Sequence, residues 1–394
     1  MIIRYTHVIR SHMHKQLQGG PLMSTTTAAE KLLLQMVDDY TQKEIAPQDM
    51  PMDAAGDFPA GFMEKLTATG FLGLMLPQEF GGAGFGPEIT ATVLNHIARG
   101  NASTAVTLEG HFKTIDQLLK YGTPALQQQL LPTATDRIFA FSMTEASGGS
   151  NPMSISSTAT REGNHWVLNG DKIMITNGGL AEVYCVLVKT APTELSVFVV
   201  DQDMPGFSFG KREDFIGLRG TPVGEIVMDH IVVDDDHLLG NLGDGGLIGD
   251  SAHDDARVLM GAVLTGIMEH ELKIATDYAK ERKAGDQPLT ALQVTQRKVA
   301  DMAIRKETTK LLYQQAAHLK ALGQPYSELA AMAKAHGSRA AVSAGDDALQ
   351  ILAGYGYSRE YPVEHLIRDA RALEIAEGTV EKMRSAIALA EFNH

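Results

Sequence analysis

Along the first third of the chain, apolar residues return every three or four positions, as in Leu32, Leu33, Met36 and Val37 and again in Val93, Leu94 and Ile97. That period stacks apolar side chains on one helical face and predicts helices from residue 28 to about 131. Pro47, Pro51, Pro59 and Pro77, then Gly81, Gly82, Gly84 and Gly86, punctuate them. From about Phe139 the pattern changes to short β-rich runs at 166–168, 172–176, 183–188, 195–200 and 226–233, ending near Leu239. Asn169-Gly170 and Asn177-Gly178 read as two tight turns between strands, because that dipeptide tolerates positive φ. After Gly249 a helical stripe returns in Val258, Leu259, Ala262, Leu264, Ile267 and Met268, and the period continues through 293–322 and 328–352. The expected fold class is α+β, mostly α: a flexible leader at 1–22, an N-terminal helical domain at 23–138, an antiparallel β domain at 139–245 and a helical bundle at 246–394.

Composition narrows the function. The 394 residues are 44% hydrophobic and 21% charged, enough chain for two or three packed domains and too apolar for a chain disordered throughout. No apolar run approaches the roughly 18 residues of a membrane-spanning helix. A net charge of −14 repels phosphate backbones, so neither nucleic acid nor membrane is an expected partner. Cys185 is the only cysteine, which fits a reducing compartment. The acidic balance points to a bacterial cytoplasm. Residues 1–22, with Arg4, Arg10 and Lys15 and no acid before Glu30, leave a mitochondrial presequence open. The single serine in that stretch and the Gly19-Gly20-Pro21 break favour an unstructured leader before a second start at Met23.

Motifs for phosphate loops, zinc hydrolases, serine hydrolases and EF-hands are absent, and the glycine pairs Gly84/Gly86 and Gly354/Gly356 lack the third glycine of a dinucleotide fingerprint. No metal site is expected among the fourteen histidines. Four separated segments are informative together: Phe141-Ser-Met-Thr144-Glu-Ala-Ser-Gly-Gly-Ser150-Asn151, Lys172-Ile-Met174-Ile-Thr176-Asn-Gly-Gly179, Gln350-Ile-Leu-Ala-Gly354 running on through Arg368-Asp369, and Glu377-Gly378-Thr379. In order and spacing they resemble the acyl-CoA dehydrogenase family over residues 25 to 390.

The resemblance implies FAD as cofactor and α,β-dehydrogenation of an acyl-CoA thioester. That chemistry needs a carboxylate at the α-carbon and a flavin facing the β-carbon. Glu377 occupies the position of the family's catalytic base, on an apolar segment whose desolvation would strengthen it as a base. Phe141, Met143, Thr144, Met174 and Thr176 fall where the family holds the isoalloxazine ring. Arg282, Gln350, Gly354 and Thr379 fall at further FAD contacts, Gln350 and Gly354 reaching from a neighbouring subunit. The implied assembly is therefore a homo-oligomer, a tetramer, with an electron-transfer flavoprotein or similar acceptor as redox partner. Ser150, Asp254, Arg257 and Glu109 match substrate contacts. For Asp254 and Arg257 the alternative is a solvated ion pair, and for Glu109 a helix-surface acid.

The chain also departs from the family. Met174 stands where a shielding tryptophan is usual, Ala376 replaces an aromatic before the base, and Asn151 replaces an aspartate. Losing the ring before Glu377 points to a larger pocket and a substituted acyl group. The family's Arg-x-x-Phe-Gly segment reads Arg282-Lys283-Ala284-Gly285-Asp286, setting an acid near the expected phosphate. Two other readings carry these changes: an oxygen-using oxidase or flavin monooxygenase on the same fold, and a catalytically silent relative acting as a binding partner.

Overall fold

The computed structural model describes residues 27–392; the leader and the second start at Met23 lie outside the described residues. Helix α1 (Ala28–Tyr40) opens on a capping box, in which the Thr27 hydroxyl accepts from the Glu30 amide while the Glu30 carboxylate accepts from the Thr27 amide. Helices α2 (Asp49–Ala55), α3 (Phe62–Ala68), α4 (Pro87–Ala98), α5 (Ala102–Tyr121) and α6 (Pro124–Leu130) follow. Asn101 caps α5, accepting from the Thr104 amide at 2.7 Å. This helix is buried almost all round from Ala102 to Ile115, as suits an element packed between a sheet and other helices.

A sheet of eight strands then forms: β1 (Phe139–Ser142), β2 (Thr158–Glu162), β3 (His165–Thr176), β4 (Val183–Ala191), β5 (Glu194–Asp201), β6 (Phe207–Arg212), β7 (Val223–Val233) and β8 (Leu238–Leu239). The order is β6-β7-β3-β2-β4-β5-β8, with β1 added on β4 in parallel. The sheet is therefore mixed rather than wholly antiparallel. Asn177, at φ 67°, begins the turn after β3 as expected. Asn169-Gly170 does not form a turn: it lies inside β3 at a bulge, where the register slips between Leu168 and Gly170. Gly170 sits at φ 132°, and a Cβ there would lie 2.3 Å from the Ser157 hydroxyl, so the glycine serves close strand approach instead.

Helix α7 (Gly245–Glu281) is 37 residues long, about 55 Å at 1.5 Å per residue. With α8 (Gln293–Ala321) and α9 (Ser327–Leu352) it forms a bundle against which α4 and α5 pack. A small hairpin, β9 (Lys283–Ala284) and β10 (Gln287–Pro288), leads into α8, and α10 (Val363–Ala372) and α11 (Val380–Phe392) close the chain. Small residues let the bundle helices approach: a Cβ on Gly261 would come within 2.6 Å of Tyr313, and one on Gly337 within 2.6 Å of Thr309. Among the described residues no helix is long and apolar enough to cross a membrane.

One buried cluster joins the three regions. The ring nitrogens of His365 on α10 reach Asp49 of α2 at 3.0 Å and Asp369 at 3.4 Å. Asp369 in turn accepts from the Leu218 amide at 2.5 Å, and Arg368 grips Asp53 through two nitrogens at 2.7 and 2.8 Å. Burial disfavours the charged imidazole, but the two carboxylates outweigh it and lift His365 to about 11. With a carboxylate on each ring nitrogen of His365 and the Arg368–Asp53 pair beside it, the grouping of Asp53, His365 and Asp369 acts as an ionic clamp.

Candidate active site

Glu377 lies in the turn between α10 and α11, at φ 55°, and is followed by Gly378 at φ 92°. A left-handed pair is costly for a non-glycine residue and survives only where neighbours fix it. Here two cations hold the turn from behind. Lys334 of α9, fully buried, donates to the carbonyls of Gly378 and Glu374, and Arg257 of α7 donates to the Glu377 carbonyl at 3.4 Å. Burial lowers Lys334 to about 8. Gly378 is required twice over, by its φ and by the Met383 methyl 2.9 Å from where a Cβ would stand.

The Glu377 carboxylate faces α5 and the start of α7. One oxygen accepts from Lys113 and the other meets His253 Nδ1 at 3.0 Å. Burial alone would raise its pKa; the Lys113 ammonium and His253 overcome this and hold the carboxyl below the usual carboxylate range. Lys113 is itself buried, and desolvation opposes its charge, yet Glu109 and Glu377 together keep its pKa raised. Glu109, one helical turn earlier, is not a surface acid: it is fully buried, 3.7 Å from Lys113 Nζ, and neither of its oxygens receives a hydrogen bond. Burial pushes Glu109 up to about 8.

The same helix touches the sheet. A Cβ on Gly110 would lie 3.3 Å from the Thr176 methyl and 3.1 Å from Asn177 Nδ2, and Asn177 donates to the Thr107 carbonyl at 2.9 Å. Thr176 at the end of β3 is thus set beside the turn of α5 that carries Glu109, one turn from Lys113 and Glu377. The segment after β1 joins this edge, since the Ile173 amide donates to the Thr144 carbonyl at 2.9 Å. Between them lies a wholly buried pair, Lys172 and Glu145 at 2.6 Å, with Glu145 also accepting from the Ser156 and Ser157 amides. Burial would raise Glu145, but Lys172 and these donors hold it at about 2. Met174 projects from a second bulge in β3 at φ 58° and is 46% exposed, with Thr144 and Thr176 half-buried beside it. An apolar wall flanked by two hydroxyls suits a flat, partly polar ring. Met143 packs against Gly249 of α7, and the Phe141 side chain is committed to the core.

The remaining expected residues separate into two places. Asp254 and Arg257 pair at 2.6 Å at the buried start of α7, so both the ion pair and the proximity to Glu377 are present, although Arg257 addresses the backbone carbonyl and not the carboxylate. Ser150 is exposed, and its carbonyl accepts from Lys382 of α11 at 3.2 Å; the Thr379 hydroxyl caps that helix through the Lys382 amide. Arg282, Gln350 and Gly354 line a different cavity, of about 930 Å³, with Lys283, Lys298 and Tyr278. Asp286, expected close to phosphate, is not among the residues lining this basic cavity. The cavity is at the far end of α7: from Gly249 to Arg282 the helix rise is roughly 50 Å.

Sequence reasoning missed Lys113, His253, Lys334 and the Lys172–Glu145 pair. A signal existed for Lys113, four residues after Glu109 and so on the same face of the helix, an acid–base pair at i,i+4 spacing. Nothing comparable marked Lys334, whose partners are backbone carbonyls.

Comparison with known proteins places the chain as a whole. Family profiles match in chain order: acyl-CoA dehydrogenase N-terminal domain over residues 27–137, middle domain over 140–231 and C-terminal domain over 244–391. An acyl-CoA dehydrogenase of Bacillus subtilis is 37% identical over 368 residues, 92% of this chain and 97% of that protein. The human mitochondrial short-chain specific acyl-CoA dehydrogenase is 37% identical over 365 residues, 91% of this chain and 89% of that one. The butyryl-CoA dehydrogenase structure from Megasphaera elsdenii superposes with a TM-score of 0.91 at 30% identity, covering 94% of this chain and all of the other.

Proposed function

The chain belongs to the acyl-CoA dehydrogenase family, and on that premise we propose that it oxidises a short-chain acyl-CoA thioester to the α,β-enoyl thioester with Glu377 as the base. The observation that supports this most is the meeting of α5 with both Thr176 and Glu377, which brings the helix that binds the carboxylate against the end of β3 beside the exposed Met174. Met174, Thr144 and Thr176 would hold the flavin ring of FAD there, and the cofactor would supply the acceptor for the β-hydride. Glu377 takes the α-proton from the other side of the substrate. Its turn, pinned by Arg257 and Lys334, keeps the carboxylate aimed. The short chain length rests on Lys113 and Glu109: an apolar tail extending along α5 would have to lie against a buried ammonium and a buried acid.

One chain cannot bring the Arg282 cavity, about 50 Å along α7, to the same flavin. We assign that cavity to the cofactor of a neighbouring copy, in a homo-oligomer. Val294, exposed at its rim, and the exposed Ile304 and Leu311 on α8 fit a surface covered by another subunit. An electron-transfer flavoprotein or similar acceptor reoxidises the flavin in this scheme. The test is Glu377→Gln: the purified variant keeps its yellow flavin and is not bleached by butyryl-CoA under anaerobic conditions. Normal bleaching overturns the assignment.

A further inference from the structure

Lys113 presents a problem that the dehydrogenation scheme alone leaves open. Once Glu377 takes up the α-proton it is neutral, and a buried ammonium loses its counter-ion in the middle of the reaction. The other charges around the turn are already committed. Arg257 is held by Asp254 and the Glu377 carbonyl, and Lys334 by the carbonyls of Gly378 and Glu374. Glu374 accepts from Arg371 at 2.8 Å, Glu381 of α11 stands 3.8 Å from Arg339, and Lys382 reaches the Ser150 carbonyl. His253, on the other Glu377 oxygen, is an imidazole, whose N–H donates whether or not the ring is charged. Glu109 is different: buried, 3.7 Å from Lys113 Nζ, with no hydrogen bond to either oxygen.

We propose that Lys113 is a positioning residue whose ammonium serves as a counter-ion shared by Glu377 and Glu109, held by Glu377 while that carboxylate is charged and by Glu109 once Glu377 is protonated. This rests on the reading of Glu377 as the base. Before reaction the trio is a neutral Glu109, a cationic Lys113 and an anionic Glu377. When the substrate α-carbon–hydrogen bond breaks, its proton goes to Glu377 and the β-hydride leaves to the flavin. Glu109 then releases its proton to solvent and pairs with Lys113. The net charge of the three side chains is zero before and after, so no unpaired charge is left buried. The position of Glu109 near 8 is consistent with an acid ready to ionise when its neighbour neutralises.

Two measurements on the flavin-loaded enzyme test this. The first uses a redox-inactive acyl-CoA analogue with an acidified α-carbon, whose enolate forms a long-wavelength charge-transfer band with oxidised flavin, titrated with pH. With Lys113→Met, the acid limb of the band rises by at least about one pH unit, because an opposite charge at this range depresses a carboxyl by roughly one to three units. Lys113→Arg restores the wild-type limb. If the Met variant does not hold flavin, Lys113→Gln carries the same comparison. The second uses a pH-indicator dye during anaerobic bleaching by butyryl-CoA: wild type releases one proton per flavin reduced, and Glu109→Gln releases none. An unmoved limb in the lysine variants, or undiminished proton release from Glu109→Gln, overturns the shared counter-ion. A wild-type protein that forms no band at any pH removes the dehydrogenase reading itself, and this proposal with it.

Discussion

The cluster around Asp369 and the cluster around Glu377 both bury acids and cations at the junction of the helical regions, yet they are satisfied differently. At the clamp His365 has a carboxylate on each ring nitrogen, Asp369 has an amide on its second oxygen and Arg368 grips Asp53 with two nitrogens. At the Glu377 turn, Lys113 serves two acids and Glu109 is left without a hydrogen bond. A buried polar network in which every group is partnered rigidifies a fold, whereas an under-satisfied group keeps a second arrangement within reach. The contrast separates a charge cluster that holds the protein together from one that can change state. It also explains why Arg368-Asp369, part of the signature segment, belongs to the architecture rather than to the chemistry.

Five substitutions and one pH profile sharpen or break this contrast. Glu377→Gln, at the changeable cluster, lowers the rate of flavin reduction by about 10³-fold while leaving the urea midpoint within experimental scatter of wild type. Asp369→Ala, at the fixed cluster, strands His365 Nδ1 and the Leu218 amide and costs about 3–5 kcal/mol of stability, read by urea unfolding. If the two variants exchanged these phenotypes, the distinction would be wrong.

The clamp also predicts a pH dependence. His365 rises from 6.5 to about 11 on folding, so its stabilisation is full below pH 6.5 and is lost as pH rises through 11. Unfolding free energies from urea titrations between pH 7 and 10 should fall, by up to about 1.4 kcal/mol per pH unit, and His365→Asn should flatten that slope. Glu271, on α7 beside Asp369, is the clamp's exception: it is buried without a hydrogen bond, and burial holds its pKa well above 4.5. An acid raised on folding is destabilising above its unfolded value, so Glu271→Gln should gain stability relative to wild type between pH 5 and pH 8, by about 1 kcal/mol or more. The smallest effect belongs to Ala353→Gly. Ala353 ends α9 at φ 52°, a conformation that glycine adopts freely, and the change should add about 1 kcal/mol by thermal unfolding.

Much of the fold was legible because period and punctuation agree. The apolar stripes at 293–322 and 328–352 correspond to helices Gln293–Ala321 and Ser327–Leu352, and the β-rich runs fall on observed strands. Asn169-Gly170 misled because the dipeptide reports only tolerance of an unusual backbone, and a bulge uses that tolerance as readily as a turn. Strand β6 carried no strong alternation and shows mostly exposed residues, so periodicity had little to detect. Motifs drew attention to Glu377 and Thr176, which the structure sets against the same helix, α5. The site was illegible where function depends on long-range pairing: Lys113 meets Glu377 across 264 residues and Lys172 meets Glu145 only through the strand arrangement. No local pattern encodes such contacts.

The length of α7 has a consequence beyond its packing. Near its beginning it contributes His253 to the Glu377 carboxylate and Arg257 to the carbonyl of the same residue, and at its end it delivers Arg282 to a basic hollow half a hundred ångströms away. If that hollow serves another copy's cofactor, every chain is at once the workshop for one reaction and the scaffold for the next. Two differently crippled chains, one damaged at each end of this rod, would then be able to rebuild a working centre by assembling together.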